Sequence, residues 1–219
     1  MRFRTTPLAL TLGLCVSFAT TSRVRAVTIL DTGLNEPFFG WVGYDINPDQ
    51  SVGIAFSPAF DCTLDTVGVW AMSNDFDAAG RKYTLKLVPD ASTTNYTIPN
   101  VANSIETWTI STAAVGWTPV LDQASSTAHP LLSAGSVYWL VAESEEPGGL
   151  DPLWTQAGNS TPYYSGVDNA FNPNGWEGGL SFGSSPGTVI NATPVPEAGA
   201  AFGVATVATI IASRRNRRA

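Results

Sequence analysis

Between residues 27 and 193 apolar side chains recur at every second position in short runs, each stopped by Gly, Pro, Asn or Asp. A pleated strand has that period and an α-helix does not, so this stretch is constrained to fold as sheet. The runs at 27–30, 38–44, 51–57, 64–72, 82–88, 105–110 and 137–142 read as strands, at the spacing of a sandwich built from short antiparallel segments. In 82–88 the side chains of Tyr83, Leu85 and Leu87 share one face and those of Lys82, Thr84 and Lys86 the other, the pattern of a strand with one face in water. Residues 137–141 are apolar on both faces and predict a strand in mid-sheet. Trp70, Trp108 and Trp139 fall within strands and are expected in the core. From 143 to 187 the chain is rich in Gly, Pro, Asn and Ser, which predicts long loops closing one end, with short strands at 153–155 and 179–182. The expected fold class is therefore all-β, an antiparallel β-sandwich of jelly-roll-like form. A segment of about 170 residues can bury roughly two thirds of its unfolded surface without staples.

Both ends of the chain differ from this middle. Arg2 and Arg4 precede an apolar run at 7–19 that is too short to span a bilayer stably, and Val24-Arg25-Ala26 fits a signal-peptidase cut before Val27. Residues 1–26 thus read as a signal peptide, 27–193 as a β-sandwich surface domain and 194–219 as a sorting tail. In the tail, Val195-Pro196-Glu197-Ala198 leads into an apolar stretch at 198–213, then Arg214, Arg215, Arg217 and Arg218. As a helix, that stretch would be about 24 Å long against a hydrocarbon core of about 30 Å, so it crosses only as a short transmembrane helix. The arginines would stay in the cytoplasm and leave the domain outside, where the signal peptide also sends it. This order of parts resembles the PEP-CTERM sorting signal of Gram-negative, biofilm-forming bacteria, with Ala198 where the family has a second proline. The resemblance implies an exosortase-type membrane protease as partner, a membrane hold through the C-terminal helix, and a final place on the cell surface or in the extracellular matrix.

The whole chain carries a formal charge of −7, which conceals an asymmetry. Residues 27–196 hold only three basic side chains, Arg81, Lys82 and Lys86, against seventeen acidic ones, a balance of −14. Such a domain lacks the clustered cations that phosphate recognition needs, which argues against nucleic acid as a partner. Cys15 leaves with the signal peptide, so Cys62 is alone in the mature chain and an internal disulfide is excluded.

Candidate chemistry in the domain is sparse. Asp31-Thr32-Gly33 has the form of an aspartic-protease motif, but a single such motif, four residues into the mature chain, has no lobe around it and reads as a turn after the first strand. Residues 183–187 have the spacing of a nucleophile elbow, yet Pro186 forbids the helix that should follow, and His129 lies upstream of the serine. The chain is read as non-catalytic. Asp45, Asn47 and Asp49 place three oxygen side chains at alternate positions, as calcium loops do, although Gln50 stands where such loops need glycine. Calcium is the one cofactor this composition suggests. Trp117, Trp154, Tyr163, Tyr164 and Trp176 fall in loops or at strand ends, where aromatic faces would stack on sugar rings.

Residues 50–57, Gln-Ser-Val-Gly-Ile-Ala-Phe-Ser, then Phe60 and Thr63-Leu64-Asp65-Thr66-Val67, and later the run 131–141, resemble a choice-anchor R domain. That resemblance spans about residues 50 to 183 and implies a surface β-sandwich with no catalytic site to carry over. The combined expectation is an exported surface or matrix protein with a structural or adhesive role. The alternative is a lectin-like module for exopolysaccharide, assisted by calcium.

Overall fold

In the computed structural model, the described residues are 25–34, 42–73, 79–91, 98–144, 146, 152–157, 165–169, 176–178 and 185–196. They form strands and turns; among them there is no helix, and hence none long and apolar enough to cross a membrane. Two antiparallel sheets face each other around one core, in a β-sandwich-like arrangement.

The first sheet is organised by the long strand β4 (Cys62–Met72). One edge of β4 takes β13 (Thr188–Pro194) along residues 62–69 and β10 (Leu153–Thr155) at 71–72. Its other edge takes β8 (Leu131–Leu132) at 62–63 and β7 (Val120–Ser125) at 66–71. β1 (Val27–Asp31) adds to β13, and β2 (Gly43–Asp45) adds to β10. The second sheet runs in the order β12 (Glu177–Gly178), β11 (Ser165–Asn169), β3 (Gln50–Phe56), β9 (Tyr138–Glu143), β5 (Lys82–Pro89) and β6 (Glu106–Ser111).

The period-two pattern decides what each face meets. Leu64, Val67, Val69, Leu132, Trp154, Ile190 and Ala192 of the first sheet pack on Val52, Ile54, Phe56, Tyr83, Leu85, Leu87, Trp108, Tyr138, Leu140 and Ala142 of the second. β9 lies between β3 and β5 and buries both faces, because Trp139 and Val141 meet a second, smaller cluster with Ala55 and Val88 on the outer side of its sheet. Trp108 and Trp139 are buried as anticipated, whereas Trp70 is only half-buried: it lies on the outward side of β4, opposite Leu121 of β7.

Within the stretch expected mainly as loops, the short strand expected at 153–155 is β10 of the first sheet, whereas β11 and β12, which extend the second sheet, have no counterpart in the sequence pattern. β7, β8 and β13 are likewise absent from the sequence pattern. β13 reads Thr-Val-Ile-Asn-Ala-Thr-Pro, in which only Ile190 and Ala192 mark an inward face, yet it lies between β1 and β4. Of the strand expected at 38–44, residues 43 and 44 belong to β2 and 38–41 fall outside the described residues, as do the strand expected at 179–182 and the segments 1–24 and 197–219.

Two hydrogen-bond systems tie the sheets together along the β6–β7 side. The Tyr83 hydroxyl donates to Asp122 Oδ2 (3.1 Å), whose other oxygen accepts the Ala113 N–H (3.2 Å). Burial, and then the neighbouring Asp122 carboxylate, raise the Tyr83 hydroxyl well above its ordinary pKa, so it remains a donor. Trp108 Nε1–H donates to the Ser125 carbonyl (3.1 Å). Beside it, the Glu106 carboxylate accepts from Ser126 Oγ (2.6 Å), Thr127 N–H (2.7 Å), Thr127 Oγ1 (3.3 Å) and Ala128 N–H (3.2 Å). Burial alone would raise this carboxyl, but the four donors outweigh it and hold the pKa below the ordinary value.

The direction of the strands places the two ends of the domain together. Val27, at the start of β1, is opposite Ala192, near the end of β13, and the Val195 N–H still donates to the Asp61 carbonyl (2.8 Å). The chain therefore enters and leaves at one end of the sandwich. The loop from β3 to β4 and the start of β6 lie at that same end, while Ser73, residues 79–81 and the loop from β6 to β7 lie at the opposite one.

Candidate functional site

The outer face of the second sheet carries an open cleft of about 340 Å³, lined by Lys82, Thr84, Lys86, Thr109, Glu143, Ser144 and Glu146. Strand alternation builds it. Because Tyr83, Leu85 and Leu87 point to the core, Lys82, Thr84 and Lys86 point outward, and Thr84 stands between Glu143 on β9 and Thr109 on β6. Lys86 pairs with Glu143. Glu146 Oε2 accepts the Lys82 backbone N–H (2.9 Å), while Ser144 Oγ donates to the Lys82 carbonyl (3.1 Å) and accepts the Glu146 N–H (3.2 Å). These contacts fix the start of β5 against the chain leaving β9. The result is a floor of alternating donors and acceptors near charge balance, set in a domain of strong negative charge. Such a floor can hydrogen-bond hydroxyl groups and pair with charges of either sign.

The sequence carried a signal for this cleft that its pattern alone did not decode. All three basic residues of the domain lie within 81–86, and the pairing of β5 with β9 brings two of them, Lys82 and Lys86, to Glu146 and Glu143 from about sixty positions away. Read singly, the lysines mark a wet strand face and the glutamates a loop.

The aromatic residues expected as a sugar platform separate. Trp154 is a correction: it is fully buried in the core, with Nε1–H donating to the Gly187 carbonyl (2.9 Å), and a ring closed to solvent offers no stacking face. It sits at a strand end in sequence, but β10 is flanked by β4 and β2 and faces the opposite sheet. Trp176 is half-buried and packs on Trp139, with ring centroids 6.2 Å apart. Gly53 makes that seat, since a Cβ there would stand 3.2 Å from both indoles. The Gly53 row continues through Val141 to Lys86, so Trp176 lies two strand spacings, about 10 Å, from the cleft. Trp117 is exposed, next to Gly116 in the loop from β6 to β7. Tyr163 and Tyr164 fall outside the described residues.

The remaining candidates resolve into turns. Asn47 Oδ1 accepts the Asp49 N–H (2.9 Å) and the Asn47 and Gln50 backbones pair, which makes 47–50 the tight connection from β2 to β3. Asp45 is engaged in interactions of its own. Among the described residues no three His, Cys, Asp or Glu side chains gather as a metal group. At 31–33, Asp31 Oδ1 accepts the Gly33 N–H (2.8 Å), Gly33 takes a φ of 69°, and Thr32 is bonded to the 186–188 backbone, so the motif is the turn after β1. His129 Nδ1 lies 3.0 Å from the Leu64 carbonyl, far from any serine of 183–187 that is described. Of the sorting motif, Val195 and Pro196 are exposed at the domain's exit, and Glu197, Ala198 and the four arginines lie outside the described residues.

No protein-family model matches the chain, and no curated protein is significantly similar to it.

Proposed function

We propose that the chain is an exported protein whose jelly-roll-like β-sandwich serves a structural or adhesive role at the surface or in the matrix of a Gram-negative bacterium. In this reading, residues 194–219 hold it to the membrane until an exosortase-type protease processes the tail. One observation supports it above the rest: β1 and β13 bring both chain ends to one end of the domain, so it would hang from its tail with its other end outward. Fractionation of a Gram-negative host carrying an exosortase-type protease tests this. The chain is expected in the envelope and then in the matrix, starting at Val27, while replacing Arg214, Arg215, Arg217 and Arg218 by alanine leaves the tail uncut. Identical distribution and processing of the two forms would sink the sorting role.

A second reading, a lectin-like module for exopolysaccharide, is supported by the cleft rather than by the aromatic residues. Lys86→Ala and Glu143→Ala each remove one side of its ion pair and are expected to weaken retention on a neutral, hydroxyl-rich exopolysaccharide at least tenfold, with calcium present or absent. Retention that survives both substitutions would place any sugar site elsewhere.

A further inference from the structure

Nine large apolar side chains are exposed among the described residues, and five of them, Val27, Phe60, Ile105, Leu131 and Val195, belong to the end where the chain leaves, while Val42, Val115, Trp117 and Leu121 lie elsewhere. Val27 starts β1, Phe60 is in the loop from β3 to β4, and Ile105 precedes β6 with its N–H on the Leu87 carbonyl. Leu131 pairs with Thr63 at the start of β4, and Val195 follows β13. Leu131 is the most open of the five, at 59%. Of the domain's three basic residues, Arg81 and Lys82 are at the far end and Lys86 is paired with Glu143 on the outer face of the second sheet, while Asp61, Asp65 and Asp90 are at this end.

We infer that this apolar rim rests in the headgroup region of the membrane that holds the tail, and that its partner is a zwitterionic phospholipid surface. The proposal rests on the tail reading and on a length. The chain stays bonded to the sandwich through Val195, and the apolar run begins at 198, three residues later. Three extended residues reach at most about 10 Å. An apolar run shorter than the hydrocarbon core draws its flanks inward, which lowers the domain further. The rim therefore cannot stay clear of the interface once the tail is inserted, and its apolar residues are those that gain from partial burial there. An anionic surface is disfavoured by the acidic residues at this end.

The test uses the full mature chain reconstituted in phosphatidylcholine vesicles, with a polarity-sensitive fluorophore on Phe60→Cys, Leu131→Cys or, as a control at the far end, Val115→Cys. Cys62 is fully buried and its thiol pKa is raised, first by burial, so it stays unlabelled. Probes at 60 and 131 are expected to shift to the blue and lose at least half their emission to brominated lipid, with the probe at 115 unchanged. A chain that floats with the vesicles while all three probes stay alike overturns the rim contact alone. A chain that does not float overturns the tail reading and the rim contact with it. Two independent rim sites keep the result interpretable if one substitution disturbs the loop.

Discussion

Trp154→Ala is expected to unfold the domain more readily and to leave ligand retention by the folded fraction intact. The indole is completely buried between β4 and β2, against the opposite sheet, and its N–H is satisfied by Gly187. Truncation removes its packing, opens a cavity that the surrounding strands fill only in part, and leaves the Gly187 carbonyl without that partner. Large-to-small changes of this kind cost about 3–5 kcal/mol. At about 2–4 °C per kcal/mol for a domain of this size, the midpoint falls by roughly 6–20 °C. Thermal denaturation of the mature chain, followed by near-ultraviolet circular dichroism, reads this directly. A loss below about 1 kcal/mol accompanied by loss of sugar retention would return Trp154 to the surface.

Glu106→Gln addresses the other buried feature that holds the fold, and it carries a pH signature. The carboxylate accepts four hydrogen bonds from Ser126, Thr127 and Ala128, and the Ser126 hydroxyl oxygen in turn accepts the His129 N–H (2.9 Å). An amide presents N–H groups to donors on one of its two sides, so the loop at 126–129 loses its anchor. Hydrogen bonds to a charged acceptor contribute about 1.5–3 kcal/mol each, and partial replacement by the amide oxygen leaves an expected loss of about 2–3 kcal/mol at pH 7. The folded carboxyl lies below its ordinary value of 4.5, so its contribution is complete above that pH and disappears as pH falls through the lower folded value. Urea denaturation of both forms from pH 7 to pH 2.5 should therefore give curves that converge toward the acid end. A gap that stays constant with pH would mean that the carboxylate is not the stabilising form.

These two side chains also show where sequence reading succeeds and where it stops. Strands such as β3, β4, β5 and β9 announce themselves because neighbouring positions decide their faces, and the double-sided run at 137–141 even reveals its place in mid-sheet. β13 hides because Asn191 and Thr193 occupy its outward face, bonded to Thr28, Thr66 and Asp65, so a central strand has the composition of an edge. Trp154 misleads for a related reason. A three-residue strand in a Gly-rich stretch has too little local pattern to reveal that strands from distant parts of the chain enclose it. The cleft fails locally as well, since Lys86 and Glu143 become partners only through the pairing of β5 with β9. Glu106 alternates with Trp108 and Ile110 on the inward face, a carboxylate in a core register, and that was its one visible signal.

The position of β13 determines how the molecule would bear mechanical load. Tension on the tail enters at Pro194 and runs along β13, toward whatever holds the opposite end of the sandwich. β13 is clamped on one side by β4 over 62–69 and on the other by β1 over 27–31. Antiparallel hydrogen bonds lie perpendicular to their strands. A pull along β13 thus strains both ladders in shear, many bonds at once, instead of opening them one after another as a zipper. A strand at the sheet's margin, pulled sideways, would peel; this one is placed to act as the anchor point of a load-bearing linker.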